Sequence, residues 1–231
     1  MVRDANATHD AVIPVPPGTT LVVGLGLSGR AICRHLARHG VPFMVADTRE
    51  APPGVDDFRA AHPGVALHLG PLDALDLEAV EELVLSPGID PHTAGLETLS
   101  GRINPATGEP RLIGEIALFV RAARAPIAAI TGSNAKSTVT TLVGEMAREA
   151  GVRVAVGGNL GTPALDLLAE VPDAGLYVLE LSSFQLETTP HLGAESAAFL
   201  NLSEDHLDRH GDMAGYRAAK LAIFRGARHA V

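Results

Sequence analysis

ITGSNAKST, residues 130–138, is the stretch of sequence that decides the fold. An apolar run at residues 127–130 leads into it, and a helical pattern follows it. A strand, a tight loop ending in Lys-Ser-Thr and a helix together aim backbone N–H groups and a helix N-terminus at a phosphate. The stretch therefore predicts a nucleotide-binding loop, in which Lys136 reaches the outer phosphates and Ser137 gives its hydroxyl to Mg²⁺.

The loop departs from the usual pattern at Ala135, where a glycine is expected. Glycine at such a position permits a left-handed backbone or a close approach of the backbone to phosphate. An alanine forced into the left-handed conformation costs about 1–2 kcal/mol, whereas an alanine at negative φ costs little. The sequence leaves both conformations open.

Strand and helix patterns alternate along the chain on both sides of this loop. Strands are expected at residues 20–23, 43–46, 65–69, 83–85, 127–130, 154–156, 176–179 and 197–200, and helices at 28–39, 113–123 and 216–224. The helix after the loop is expected to bury Val139, Leu142, Val143 and Met146 and to stop at Gly151. Such alternation predicts parallel sheets covered by helices.

The alternation restarts near residues 121–126, which suggests two domains of α/β class. We expect a Rossmann-like domain over residues 1–124 and a P-loop ATPase-type parallel-sheet domain over residues 125–231. Residues 229–231 look like the beginning of a further strand. The second domain is therefore expected to be truncated.

A second glycine-rich pattern, GLGLSG at residues 24–29, follows the first strand and opens a helix. Asp47 ends the next strand, where dinucleotide-binding folds place an acid that binds ribose. The pattern predicts a diphosphate at a helix N-terminus. NAD and a UDP-linked compound both carry one, and three glycines also suit a tight turn with no ligand.

Two motifs in the second half each follow a strand: ELSSFQLE at residues 180–187 and NLSEDHLDRH at residues 201–210. The carboxyl ends of parallel strands face the ligand crevice of an open sheet. Glu180 is therefore a candidate Mg²⁺ ligand beside Ser137. By context alone, His206 is more often structural than a ligand, and Lys220 is more often a surface lysine.

Composition excludes several classes of partner. The chain has 231 residues, a net charge of −9 and one cysteine, Cys33. Its negative charge argues against nucleic acid and anionic membranes, and no apolar run approaches the ~20 residues of a membrane span. The N-terminus carries Arg3, Asp4 and Asp10 without the hydrophobic region of a signal peptide. We expect Cys33 to be a core residue and the protein to be cytoplasmic.

Several motifs together resemble the Mur ligases. They lie at residues 86–89 (SPGI), 132–140 (GSNAKSTVT), 157–161 (GGNLG), 180–188, 204–206 and 216–220 (YRAAK). They follow the order expected for the family over roughly residues 20–224. The ELSSFQLE string and the Lys-Ser-Thr of the loop are most similar to the branch of the family that adds D-glutamate.

The resemblance implies an ADP-forming, ATP-dependent amide-bond ligase of peptidoglycan biosynthesis. Its substrates would be UDP-N-acetylmuramoyl-L-alanine and D-glutamate, joined through an acyl phosphate, and the protein is expected to be monomeric. The family also has a C-terminal domain, which is expected to be absent here, so the chain alone is expected to be inactive. Two alternatives remain: an NAD-dependent oxidoreductase, which leaves the phosphate loop unexplained, and a UDP-binding module without turnover.

The resemblance also assigns binding residues. ATP would be held by Gly132, Ser133, Asn134, Ala135, Lys136, Ser137 and Thr138. Uridine and diphosphate would be held by Leu27, Ser28, Asp47, Thr48, Arg49 and Gly88. Asn159, Ser182 and Gln185 would contact the phosphates or the muramoyl group of the substrate.

The catalytic residues implied by the resemblance are Lys136, Glu180, His206 and Lys220. Ser137 and Glu180 would hold one Mg²⁺, and His206 would help to hold a second. Lys220 matches a lysine that the family carbamylates: its neutral amine reacts with CO₂, and the resulting anionic carbamate lies beside Mg²⁺. That reaction requires a pKa below the usual value of about 10.4.

Overall fold

The structure is a computed structural model that describes residues 12–231. The expectation about a signal peptide rests on Arg3, Asp4 and Asp10, and these residues lie outside the described part of the chain.

The first half of the chain builds a five-stranded sheet with three helices. Its strands are β1 (Thr20–Val23), β2 (Phe43–Asp47), β3 (Leu67–Leu69), β4 (Leu83–Leu85) and β5 (Leu112–Gly114). Its helices are α1 (Leu27–Arg38), α2 (Val55–Ala61) and α3 (Glu115–Ala122), with 3-10 turns at Leu72–Ala74 and Leu96–Leu99. We call residues 12–122 the first sheet unit.

The second half repeats this plan. Its strands are β6 (Ile127–Thr131), β7 (Val154–Gly158), β8 (Leu176–Glu180), β9 (Ser196–Phe199) and β10 (His229–Ala230). Its helices are α4 (Lys136–Glu149), α5 (Ala164–Glu170), α6 (Ser183–Glu187), α7 (Leu207–His210) and α8 (Met213–Leu221), with a 3-10 turn at Ala222–Phe224. We call residues 126–231 the second sheet unit.

Every strand pair in both sheets is parallel, which confirms the predicted α/β class. The strand orders are β3-β2-β1-β4-β5 and β10-β9-β6-β8-β7. β1 and β6 are central in their sheets, with neighbours on both sides. Each is followed directly by a glycine-containing loop and a helix, so each unit places one loop at the crevice where open α/β sheets bind ligands.

The two units share a hydrophobic core. One contiguous cluster of buried side chains includes Val22 and Ile32 of the first sheet unit and Ala129 and Leu165 of the second. Helices α1, α3 and α5 pack on one another at this junction. Cys33 is fully buried in the same cluster, as expected for a small core residue.

Residues 113–123 were expected to form one helix, and the structure corrects this. Leu112–Gly114 is a strand that pairs with β4 in the register Leu83↔Leu112, and the helix begins only at Glu115. A three-residue apolar strand that runs directly into an apolar helix leaves no break in the hydrophobic pattern, so the boundary cannot be read from periodicity.

The buried face of α4 also differs from the prediction. Leu142 and Met146 are exposed, at 56% and 63% of their surface. Thr140 and Gly144 are buried instead, and Val143 packs against the core of the sheet. Val156 fills the space that a side chain at position 144 would take, so the glycine lets α4 approach β7 closely.

Within residues 12–231, no helix is both long enough and apolar enough to cross a bilayer.

Candidate active site

Two of the α-helices described within residues 12–231, α1 and α4, follow a glycine-containing loop and lack both a capping side chain and an acidic residue in the first turn. Helix α1 starts after Gly26, and α4 starts after Ala135. The shorter helices α6 and α8 are capped by Ser182 and Asp212. Uncapped N–H groups and the positive end of the helix dipole favour an anion. The two loops are therefore the candidate phosphate sites.

Ala135 adopts the left-handed conformation, with φ 63° and ψ 5°. The structure thus decides between the two conformations that the sequence left open. Its strain of about 1–2 kcal/mol is sustained by the surrounding structure.

The phosphate loop is braced by the segment that follows β9. Asn201 Oδ1 accepts a hydrogen bond from Asn134 N at 2.9 Å, and Asn201 Nδ2 donates to Asn134 O at 3.1 Å. Ser133 Oγ donates to Ser203 O at 3.0 Å and lies 3.2 Å from the Tyr216 hydroxyl. These contacts fix the backbone of the loop before a ligand arrives, which lowers the entropic cost of binding.

Lys136 folds back over the loop, where its Nζ donates to Ser133 O at 3.1 Å. Ser137 and Thr138, in the first turn of α4, are exposed. The predicted ATP-loop residues are therefore contiguous at one helix start, with an ammonium and two hydroxyls on its open side.

Glu180, at the end of β8, is joined to the phosphate loop through Ser137. The side chain is nearly buried, at 2% exposure. Its Oε2 accepts from Ser137 Oγ at 2.7 Å, and its Oε1 accepts from Asn159 Nδ2 at 2.7 Å. A carboxylate and a hydroxyl in direct contact supply the hard oxygen ligands that Mg²⁺ prefers. These residues fit the magnesium site that the resemblance assigns to them.

Lys220 lies beneath the loop, and its side chain is only 2% exposed. This overturns the expectation, based on context alone, that it is a surface lysine. Its Nζ donates to Gly132 O at 2.8 Å and lies 4.8 Å from the centre of the Tyr216 ring. Burial and the nearby charge of Lys136 lower the pKa of Lys220 from 10.5 to about 8. A much larger fraction of the amine is therefore neutral at physiological pH than in an exposed lysine.

His206 also has a left-handed backbone, with φ 52°. Its ring lies 4.8 Å from the ring of Phe184, and its Nε2 lies 3.4 Å from Asp205 Oδ2. Of the residues that the structure describes, no three His, Cys, Asp or Glu side chains are grouped as a metal site. In this part of the chain, the second Mg²⁺ site that the resemblance implies therefore has fewer than three such side chains grouped around His206, of which Asp205 is one.

Asp47 is fully committed to contacts within the first sheet unit. Its carboxylate accepts hydrogen bonds from Leu25 N at 2.7 Å, Arg49 N at 3.0 Å, Arg49 Nε at 2.8 Å and Arg49 NH2 at 2.7 Å. Burial alone would raise the pKa of Asp47, but the bonds from Arg49 and Leu25 lower it. The acid therefore organises the glycine loop and orients Arg49, leaving little free acceptor capacity for an NAD ribose.

The other predicted UDP-site residues lie at the same edge of the first sheet. Leu27, in the first turn of α1, is 70% exposed. Ser28 is next to it, and Thr48 and Arg49 follow β2. Gly88 follows β4 and faces open space. Together they leave an open rim beside the uncapped start of α1.

Ser182 and Gln185, predicted to contact the substrate, form a capping box with each other. Ser182 Oγ accepts from Gln185 N, and Gln185 Oε1 accepts from Ser182 N, at 3.2 and 3.0 Å. Gln185 is 3% exposed. Their contacts in the structure set the start of α6 at Ser183, three residues after Glu180.

Two residues of this region escaped the sequence analysis as individual candidates. Tyr216 is buried and connects Lys220 to Ser133. Arg209 connects the second sheet unit to the first. No local signal marks either residue, because their partners lie far away in the sequence.

Comparison with known proteins identifies both halves of the chain. Residues 18–104 match the Mur ligase MurD-like N-terminal domain, and residues 130–231 match the Mur ligase middle domain. The chain is 71% identical over 217 residues to UDP-N-acetylmuramoylalanine–D-glutamate ligase of Chromohalobacter salexigens, covering 94% of this chain and 47% of the relative. It is 58% identical to the Pseudomonas aeruginosa ligase of the same name, covering 91% of this chain and 45% of the relative. The chain thus spans about half the length of the curated relatives it matches.

A solved structure agrees on the fold. The crystal structure of UDP-N-acetylmuramate:L-alanyl-gamma-D-glutamyl-meso-diaminopimelate ligase from Neisseria meningitides superposes with a TM-score of 0.54 at 15% identity. The match covers 92% of this chain and 69% of that one. Such a likeness supports the arrangement of the two sheets.

Proposed function

The chain belongs to the Mur ligase family, and on that premise we propose that it forms the UDP-binding and ATP-binding portion of an ATP-dependent ligase. The reaction proposed is the addition of D-glutamate to UDP-N-acetylmuramoyl-L-alanine. The contact between Ser137 and Glu180 beside the uncapped start of α4 is the observation that carries this proposal. The contact supports a cation site with oxygen ligands next to the candidate phosphate loop.

In this proposal, residues 1–124 bind the UDP part of the substrate and residues 125–231 bind ATP. The start of α1 receives the diphosphate, while Thr48, Arg49 and Gly88 border the uridine. The start of α4 receives the ATP phosphates, and Lys136 turns from Ser133 O toward them. Binding at two fixed loops holds the reacting carboxylate and the γ-phosphate near each other, which is the main requirement for phosphoryl transfer.

The proposed reaction has two steps. An oxygen of the substrate carboxylate attacks the γ-phosphorus of ATP, the bond to the β-phosphate oxygen breaks, and ADP leaves an acyl phosphate behind. The D-glutamate amine then attacks the acyl carbon, loses a proton and expels inorganic phosphate. Lys136 offsets negative charge in the first step.

The cation sites belong to the same proposal. Ser137 and Glu180 would hold one Mg²⁺, and His206 would help to hold another; bound Mg²⁺ would neutralise phosphate charge. We further propose that Lys220 becomes a carbamate in the working enzyme. Its burial and the lowered pKa of its amine support that modification, since only the neutral amine reacts with CO₂.

The test measures ADP release by the longest natural protein that carries this sequence. We expect release only when UDP-N-acetylmuramoyl-L-alanine and D-glutamate are both present. ADP release that ignores either substrate would refute the proposal. We expect the 231 residues alone to bind UDP in calorimetry without releasing ADP, because the resemblance implies that enzymes of the family also use a C-terminal domain.

The oxidoreductase alternative is not favoured. The relatives are ligases by name, and the four hydrogen bonds to Asp47 come from Leu25 and Arg49. Titration with NADH, followed by its fluorescence, would reveal tight binding if this alternative held.

A further inference from the structure

Arg209 spans the boundary between the two sheet units close to both candidate phosphate sites. It lies on α7 of the second sheet unit, and its side chain is 9% exposed. Its NH2 donates to Ile89 O of the first sheet unit at 3.1 Å and to Glu187 Oε2 of the second at 2.9 Å. Its guanidinium lies 4.8 Å from the centre of the Phe184 ring. The planar guanidinium thus donates hydrogen bonds to both sheet units while it stacks on the ring of Phe184.

The first-unit end of this contact belongs to the UDP side. Ile89 follows Gly88 in the loop after β4. The Cβ of Ser86, in the same loop, lies 2.7 Å from the position that a Cβ on Gly24 would take. Ile89 itself lies 3.1 Å from the same position. The loop that Arg209 holds is therefore packed directly on the glycine loop.

The second-unit end belongs to the ATP side. Arg209 follows His206 by three residues, and both side chains contact the Phe184 ring, at 4.8 Å in each case. Phe184 lies on α6, shortly after Glu180. A shift of the Arg209 side chain would therefore displace the Phe184 ring and, through it, the side chain of His206.

The distance between Arg209 and Asp90 of the first sheet unit can still shorten. Arg209 Nε is buried without a hydrogen-bond partner, and Asp90 Oδ2 lies 3.6 Å from it. A charge-assisted hydrogen bond would bring these atoms to about 2.8 Å. A displacement of the 86–90 loop by less than about 1 Å would satisfy the buried donor, and unsatisfied buried donors favour such closure.

We propose that Arg209 is a positioning residue that couples the UDP loop of the first sheet unit to the His206 segment of the second. The inference rests on the proposed function, in which one substrate is held at its UDP end by the first unit and reacts at its carboxylate in the second. Arg209 sets the span between these two points. A misplacement of about 1 Å costs on the order of 100-fold in rate.

Two variants and a control test this role. Arg209→Ala removes the cross-unit contacts, and Arg209→Lys keeps the charge but not the fork. Arg153→Ala is the matched control, because it breaks an ion pair with Asp173 whose side chains are both 62% exposed. All are made in the longest natural protein that carries this sequence and are measured well below their unfolding temperatures.

The first readout is ligand coupling, measured by calorimetry with UDP and a non-hydrolysable ATP analogue plus Mg²⁺. We expect each ligand to raise the affinity for the other by about 5-fold in the parent protein and in Arg153→Ala. Arg209→Ala should bind each ligand alone within about 3-fold of the parent, yet lose the coupling. Absence of coupling in the parent, or coupling that survives Arg209→Ala, would overturn the proposal whether or not the protein releases ADP.

The second readout is turnover. We expect Arg209→Ala to lower kcat by about 10- to 100-fold with little change in either KM, and Arg209→Lys to recover part of the loss. A variant with full kcat below its unfolding temperature would also overturn the role. A parent protein that releases no ADP, yet couples its ligands in a way that Arg209→Ala abolishes, would refute the proposed reaction and support the positioning role.

Discussion

At the residue scale, the least expected feature is the left-handed alanine of the phosphate loop. Ala135 accepts this conformation at the N-cap of α4, where its φ of 63° lets the chain turn into the helix. Glycine would adopt it without strain. Some stability is therefore given up at the candidate ATP site, a common property of functional loops.

Replacing Ala135 with glycine should stabilise the protein. The relief of about 1–2 kcal/mol of strain exceeds the entropic cost of glycine, leaving a gain of about 1 kcal/mol. Urea unfolding measures it. Ala150→Gly is the matched control: the residue is exposed at φ −77°, so glycine there should bring no gain. Equal effects at both positions would contradict the assignment of strain.

Lys220 carries the clearest prediction for activity. Lys220→Ala should lower ADP release by at least about 100-fold, because it removes the group proposed to become a carbamate beside the cation site. Formate or acetate should restore part of the activity of the variant and should not raise the activity of the parent protein. Circular dichroism checks that the variant is folded. Unchanged turnover would exclude the role.

Glu115 gives a prediction about pH. It is 1% exposed at the junction of the two units, its Oε1 accepts from Leu165 N at 3.2 Å, and its Oε2 has no partner. Burial raises the pKa of Glu115, an effect partly offset by the nearby Ser28 hydroxyl and by the N–H of Leu165. Above the ordinary pKa the folded state therefore binds more protons than the unfolded state, and stability falls as pH rises through this window.

Glu115→Gln should remove that loss. Its stability relative to the parent, from urea unfolding, should be greater at about pH 8 than at about pH 5. The comparison of variant with parent cancels the opposite effect of His35, where burial lowers the pKa to about 4 and stability is lost as pH falls. Parallel stability curves would show that Glu115 ionises without penalty.

At the element scale, the glycine loop depends on how closely α1 approaches β1. A Cβ at Gly29 would lie 1.7 Å from Gly24 O, a backbone atom that cannot rotate away. At Gly26 the nearest atom is Ser86 Oγ at 3.8 Å, an ordinary contact. Gly29 therefore permits close packing of the helix, whereas Gly26, in the proposed function, leaves access for a diphosphate.

Alanine substitutions separate these roles. Gly29→Ala should lower the free energy of unfolding by about 3 kcal/mol, at the upper end for overpacked sites. Gly26→Ala should change it by less than about 1 kcal/mol. Calorimetry should show weaker UDP binding in both variants. In Gly26→Ala the reason is that the added methyl group stands where the diphosphate approaches. Similar stability losses in the two variants would contradict this division.

At the scale of the whole molecule, the two sheet units are joined by charge as well as by their shared core. Asp166 on α5 accepts from Arg34 Nε at 3.1 Å and from Arg38 NH2 at 3.3 Å, both on α1. The side chain of Asp166 is only 11% exposed, while the two arginines are 45% and 40% exposed. This cluster lies at the α1–α5 contact, whereas Arg209 joins loop 86–90 to α6 and α7.

Asp166→Asn should lower the free energy of unfolding by about 1–2 kcal/mol, between the values for exposed and buried ion pairs. Asp173→Asn is the matched control, since it breaks the exposed pair with Arg153 and should cost less than about 0.5 kcal/mol. Thermal unfolding measures both. Equal losses would show that Asp166 does not join the two units.

Much of this architecture could be predicted from local sequence. Nine of the ten strands described within residues 12–231, each of two to five residues, follow the predicted pattern, as do helices α1, α4 and α8, and the composition of residues 24–29 and 132–138 indicates the two loops. The short helices α2, α5, α6 and α7 were not predicted. The start of α3 was missed because β5 runs into it without a polar break. The buried face of α4 was misplaced because Gly144, which carries no hydrophobic signal, faces the sheet.

The sequence by itself determined the alternation of strands and helices, the two candidate phosphate loops and the family, because each depends on residues close together in the chain. Only the tertiary structure decided that Lys220 is buried, that Ala135 is left-handed and that Arg209 and Asp166 join the two units. The last two make hydrogen bonds across 120 and 132 residues. Such contacts depend on how two separately folded surfaces meet, and periodicity within one segment contains no information about the surface that will cover it.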